Sequence, residues 1–170
     1  IMMGSGYKRN MASFKFTHEL SDKVKMGFST RYSHRRVDGA GTSNTGSQGT
    51  NRLRNAVRYR PFEAGNQVDE EYTFDPDYAL LTNLVNPVLL VSNEIRQDFR
   101  NDLNIDGWVS VELTPHISFK SVGGVGIGNR KSQAFNGTAT SVARQNANMP
   151  VVTIGESDYQ NISNSNTLTY

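Results

Sequence analysis

Cysteine is absent from the 170 residues, which excludes a disulfide framework and any cysteine-based zinc site. Long apolar runs are absent as well, and nothing approaches the roughly 20 residues of a membrane-spanning helix. Hydrophobic residues make up only 36% of the chain and the mean hydropathy is −0.55, little for a compact core of this size. Neither sign of charge dominates, with 18 Lys and Arg against 16 Asp and Glu. That near-balance argues neither for nor against nucleic acid, and no nucleic-acid partner is expected. Catalytic patterns are missing too. There is no Ser/His/Asp order, nucleophile elbow or paired-carboxylate motif, and Asp75 and Asp77 read as a turn. His18, His34 and His116 lie far apart, without the spacing of metal ligands. The glycines at 123–128 lack the lysine and helix start of a phosphate loop. No enzyme, metal or cofactor is expected. These absences leave open one class that looks polar on average. Membrane β-barrels cross the bilayer in spans of about 10 residues with alternating hydrophobicity.

Such alternation is what the chain has. From Ala12 to Leu20 the even positions (Ala12, Phe14, Phe16, His18, Leu20) are mostly apolar, and Ser13, Lys15, Thr17 and Glu19 between them are polar. After the polar break Ser21-Asp22-Lys23, Val24, Met26, Phe28 and Tyr32 share one parity, and Lys25, Gly27, Ser29, Arg31, Ser33 and Arg35 share the other. Successive side chains of a strand point to opposite faces, so this is a two-faced antiparallel hairpin.

A second hairpin repeats the logic. Phe99, Leu103, Ile105, Val109, Val111 and Leu113 alternate with polar residues, and Trp108 breaks the rule by lying on the polar face. Thr114-Pro115-His116 makes the turn, and Ile117, Phe119, Val125 and Ile127 line the returning apolar side. The sequence thus predicts strands near 8–20, 23–36, 97–113, 117–130 and 160–170. Outer loops are expected at 37–96 and 131–159. Within the first loop, 51–62 reads as a short helix ended by Pro61, with Leu53 and Val57 on one side. Residues 80–95 read as a short packed helix or extended segment. A connection as long as 37–96 counts against strands in a soluble domain, where loops have a median near 4–6 residues. On a membrane barrel, long outer loops and short periplasmic turns are the rule. With the short turns in the periplasm, the five strands run down, up, down, up and down. The longer ones exceed the roughly 9–11 residues needed to cross, so their surplus projects beyond the outer leaflet.

In order, HELSDKVKMGFSTRYSHRRVDGAGTSN, NRLRNAVRYRPF, LVNPVLL and FRNDLNIDGWVSVELTPHISFKSVGGVG resemble the barrel of the SusC/RagA family of TonB-dependent outer-membrane transporters. The resemblance covers nearly the whole chain. It implies an all-β fold, an antiparallel transmembrane β-barrel segment of about five strands out of 22, with long extracellular loops. It further implies a bacterial outer-membrane location, and a plug and TonB box that lie outside these 170 residues. The partners implied are the remainder of the same barrel, outer-membrane lipid, the TonB complex and a SusD-like surface lipoprotein. The cargo would be glycans or peptides.

Two sets of outer-loop residues are candidate ligand or partner contacts. Arg52, Arg54 and Arg58, with Arg60 and Tyr59, suit an anionic ligand or partner loop. A solvated, salt-bridged loop facing the acidic DEE and DPD segments is the plainer reading of such a run. Tyr72, Phe74 and Tyr78 suit stacking on sugar rings, and packing within the loop accounts for them equally well. The alternative to a transport barrel is a secreted or surface-attached β-sandwich binding module of adhesin type. Comparable loops at both ends would favour it, whereas both long loops here fall on one side. Both ends of the sequence read as cut from a longer protein, and the 170 residues are expected not to form a complete folding unit.

Overall fold

Alternation becomes strand in both hairpins. The computed structural model describes residues 3–40, 51–59 and 84–170. Its strands are β1 (Gly6–Ser21), β2 (Val24–Asp38), β3 (Glu94–Thr114), β4 (Ile117–Asn136) and β5 (Val151–Thr169). They form one antiparallel sheet in the order β1-β2-β3-β4-β5, so every strand pairs with its neighbour in sequence. Among the described residues three short helices accompany them: α1 (Arg52–Arg58), α2 (Pro87–Ser92) and α3 (Ser141–Gln145).

Three boundaries differ from the sequence reading by three residues or more. β3 starts at Glu94 and β4 continues to Asn136. β5 starts at Val151, where the sequence suggested a loop to 159. The connection between β4 and β5 is therefore shortened to residues 137–150 and contains α3. Glycine, serine and aspartate in VVTIGESDY read as turn chemistry, yet pairing with β4 holds them extended.

The chain divides into two compact units, residues 8–35, 99–131 and 156–170 in one, and 1–7, 36–98 and 132–155 in the other. In the first unit the hairpin turns fall at the expected residues. Side-chain hydroxyls brace both: the Lys23 amide donates to Ser21 Oγ at 3.4 Å and the His116 amide to Thr114 Oγ1 at 3.4 Å. One face carries Ser13, Lys15, Ser29, Arg31, Asn104 and Asp106 around an open concavity of about 740 Å³. The opposite parity leaves Phe14, Phe16, Met26, Phe28 and Val109 exposed. Among the described residues, the buried hydrophobic ones, Leu84, Val85, Leu90 and Ala143, all belong to the second unit. Among the described residues, the sheet of the first unit therefore has an uncovered apolar face, which in a soluble monomer marks an interaction surface.

Aromatic rings on glycines pin the register. Trp108, the exception to the alternation, lies against Gly27 of β2, where a Cβ would come within 2.3 Å of its Nε1. The Lys120 ammonium stands 5.4 Å from the same ring, a cation–π contact. Tyr159 of β5 lies over Gly128 of β4, where a Cβ would stand 2.0 Å from the ring. Its hydroxyl passes beyond β4 to donate to Asp102 on β3. Arg100 completes the group, donating to Asp102 at 3.0 Å and standing 5.8 Å from the Tyr159 ring. One side chain thus ties three strands. Gly128→Val is expected to expel the ring and break the Tyr159–Asp102 bond, costing on the order of 1–3 kcal/mol. A lowered unfolding midpoint for the complete protein in detergent, matched by Tyr159→Ala, checks this. Wild-type stability in Gly128→Val contradicts it.

Candidate functional site

The second unit is a loop platform built on buried polar side chains. Asn51 caps α1 by accepting from the Arg54 amide at 2.9 Å. Asn86 caps α2, accepting from the amides of Val88 at 2.9 Å and Leu89 at 3.4 Å, with Pro87 in the first turn. Thr140 caps α3, accepting from the Ala143 amide at 3.2 Å and donating to the Gly137 carbonyl at 2.7 Å. Each helix is shorter than the roughly 12–15 residues at which isolated helices become stable, so caps and packing hold them.

α1 packs against α2 and is pinned there by Asn55, which is fully buried. Its Nδ2 donates to the Val85 carbonyl at 2.7 Å, and its Oδ1 accepts from the Val85 amide at 3.0 Å. The side chain thus acts as a strand partner for one residue.

Arg52 is the second pin, and it corrects the sequence reading. The sequence offers it either as a ligand or partner contact or as a cation of a solvated loop; in the structure it is not solvated but 2% exposed and paired with Glu94, the first residue of β3. Its Nε donates to Glu94 Oε2 at 2.9 Å, and its Nη2 to the Glu94 carbonyl at 3.1 Å. Its Nη1 donates to the Gly4 carbonyl at 3.3 Å. Arg96 binds the other Glu94 oxygen, so one buried carboxylate holds two guanidinium groups. With the polar residues Arg52 and Asn55 turned inward, Leu53 and Val57 are exposed at 51% and 77%. The expected apolar stripe of α1 thus faces outward. Leu84, Val85 and Leu90 supply the burial instead.

Of the other candidates, Arg54 and Arg58 are exposed on α1 and Tyr59, its C-terminal cap, is half-buried. Tyr72, Phe74 and Tyr78 lie outside the described residues, as does Arg60. The structure therefore separates Arg52, which is part of the anchor, from Arg54 and Arg58, which remain at the surface. Sequence reasoning missed Glu94 and Asn55. The only signal for Glu94 was an acidic residue at the end of an apolar segment, and it did not identify a partner.

Beside the anchor, Gly4, Ser5, Gly6, Asp38, Arg52 and residues 94–97 surround a cavity of about 350 Å³. Asp38 there accepts from Arg36 Nε at 3.0 Å and from Gln97 Nε2 at 3.1 Å. Gly4 and Gly39 have positive φ, +71° and +75°. At Gly4 a Cβ would meet Val91 at 2.8 Å, so the close approach of this segment to the anchor requires glycine. Around α3, burial pushes the Arg144 guanidinium below its ordinary range. Among the described residues no cluster of three metal-ligating side chains occurs. The chemistry on offer is recognition by hydrogen bonds and charge: a charged concavity on the sheet and a braced platform of loops.

No family model matches the chain, and no curated protein matches it. Solved structures do. The RagAB peptide importer in its open-open state superposes with a TM-score of 0.61 at 15% identity, covering 96% of this chain and 18% of that one. A second structure, the RagAB peptide transporter, gives 0.60 at 14% identity with the same coverage. The chain thus spans about a fifth of the length of the proteins it resembles. No helix among the described residues is long and apolar enough to cross a membrane, which leaves crossing by strands untouched. Identities this low speak to fold. The fold is all-β, a five-stranded antiparallel sheet matching a segment of a RagA-like β-barrel.

Proposed function

We propose that these residues are a length of barrel wall in a SusC/RagA-like TonB-dependent transporter of the bacterial outer membrane. The observation that carries this reading is the two-faced sheet itself, charged and concave on one side and apolar and uncovered on the other. The similarity to a peptide importer supports transport as the activity. Among the described residues β1 and β5 each have one neighbour in the sheet, and in lipid an unpaired strand edge costs several kcal/mol per backbone group. Further strands of the same barrel, 22 in all by the family resemblance, complete both edges. A plug and TonB box elsewhere in the complete protein couple it to the TonB complex, and a SusD-like lipoprotein sits over the loops. The cargo is a peptide or glycan that passes along the polar face. Arg54, Arg58 and Tyr59 on α1, with Tyr72, Phe74 and Tyr78 of the same connection, are candidate contacts for cargo or lipoprotein. A sandwich module needs a second sheet against the apolar face, and the described residues form only one.

Deleting the gene for the complete protein is expected to abolish uptake of one class of oligopeptide or oligosaccharide. The protein itself is expected in the outer-membrane fraction, extracted only by detergent. Recovery of the complete protein from the aqueous phase without detergent contradicts the proposal.

A further inference from the structure

The uncovered face is not uniform, and where it changes is set by register. Contacts of Gly6 with Asp38 and of Lys25 with Glu19 place Asn10 of β1 opposite His34 of β2. The Glu112 amide bonds the Lys23 carbonyl and the Gly39 amide the Arg96 carbonyl, which places His34 opposite Asn101 of β3. Gly124 against Asp106 and Gly126 against Asn104 bring Asn101 opposite Asn129 of β4. Asn129 donates to Asp158 of β5 at 2.6 Å. One row across all five strands is therefore Asn10, His34, Asn101, Asn129 and Asp158, on the same parity as the exposed apolar residues. Its members bond to one another: His34 Nδ1 lies 2.6 Å from Asn101 Oδ1 and Tyr32 reaches up to the same oxygen at 3.3 Å. Beside it, Lys131 pairs with Glu156 at 2.7 Å.

We propose that this row lies at the headgroup level of the outer leaflet and that the acyl chains cover the face only between it and the hairpin turns. The inference rests on the barrel-wall reading and gives it a depth. Thirteen residue steps separate Asn101 from Thr114, and twelve separate Ile117 from Asn129. At about 3.3 Å per residue and a tilt near 40°, these span about 30–33 Å, one hydrocarbon thickness. Phe28 and Phe16 fall halfway along. Tyr32, with an apolar ring and its hydroxyl on the row, has the form of an interfacial aromatic. Beyond the row the strands run on for several residues outside the hydrocarbon, and the apolar residues there, Ile95, Val152 and Ile154, are not lipid contacts.

The test uses single bimane-labelled cysteines in the complete protein, reconstituted into phosphatidylcholine vesicles. The vesicles carry a nitroxide either on the headgroup or deep in the chain. Phe28→Cys is expected to be quenched several-fold more by the chain nitroxide, and Asn129→Cys more by the headgroup nitroxide. Ile154→Cys is expected to respond to neither and to be quenched by aqueous iodide. Chain quenching at Ile154 equal to that at Phe28 overturns the boundary and leaves the barrel wall standing. Absence of chain quenching at Phe28 overturns the barrel-wall reading and the boundary with it.

Discussion

Replacing Glu94 with alanine is expected to release the α1 platform. The carboxylate is buried and holds two guanidinium groups, Arg52 Nε at 2.9 Å and Arg96. Arg52 is itself 2% exposed, so without Glu94 its charge stays out of water with only carbonyl partners. Breaking a buried pair in this way costs about 3–5 kcal/mol, and 3 kcal/mol corresponds to a roughly 150-fold rise in the opened population. Trypsin reads this directly, because Arg54 and Arg58 on α1 are cleavable only when the helix opens. Cleavage of the complete, folded protein at these bonds is expected to accelerate by on the order of 100-fold. Glu94→Gln, which keeps an acceptor for Arg52, is expected to show a smaller effect. An unchanged cleavage rate in Glu94→Ala would mean that the pair does not hold the helix.

An arginine at Phe28 is the second large effect expected. Phe28 is exposed on the apolar face and lies about midway between the turns and the polar row. A cationic side chain at the bilayer midplane of a barrel costs about 2–4 kcal/mol, falling toward zero near the interfaces. Folded, heat-modifiable protein in outer membranes should therefore drop sharply in Phe28→Arg. The same change at Thr30, two residues nearer the row, should be tolerated better, and Ser29→Arg, on the opposite parity, best of all. Equal loss at Phe28 and Ser29 would mean that the two faces do not differ in solvent.

The hairpins were legible because a period of two is a local signal. Phe14, Phe16, Val24, Met26 and Phe28 declare their face without help from the rest of the chain. What escaped was set by partners distant in sequence. Residues 151–159 belong to an expected polar loop, and pairing with β4 makes them strand. Trp108 looked like an exception until Gly27, 81 positions away, proved to be the space its ring occupies. Arg52 looked like one of several solvated cations, and nothing nearby in sequence points to Glu94. Leu53 and Val57 have helical spacing, yet α1 turns its polar residues inward because Val85 offers both backbone groups to Asn55. Patterning records which face is apolar; it does not record which polar group will find a buried partner.

If this sheet separates lipid from a polar interior, as proposed, β2 must show it residue by residue. Nitroxide labels placed singly at residues 25–31 of the complete protein, in bilayers, report collisions with oxygen, which concentrates in lipid, and with a water-soluble nickel chelate. A strict two-residue oscillation is expected. Oxygen contact should peak at Met26, Phe28 and Thr30, and nickel contact at Lys25, Gly27, Ser29 and Arg31. Labels that show no alternation, or oxygen peaks on Lys25, Ser29 and Arg31, contradict it.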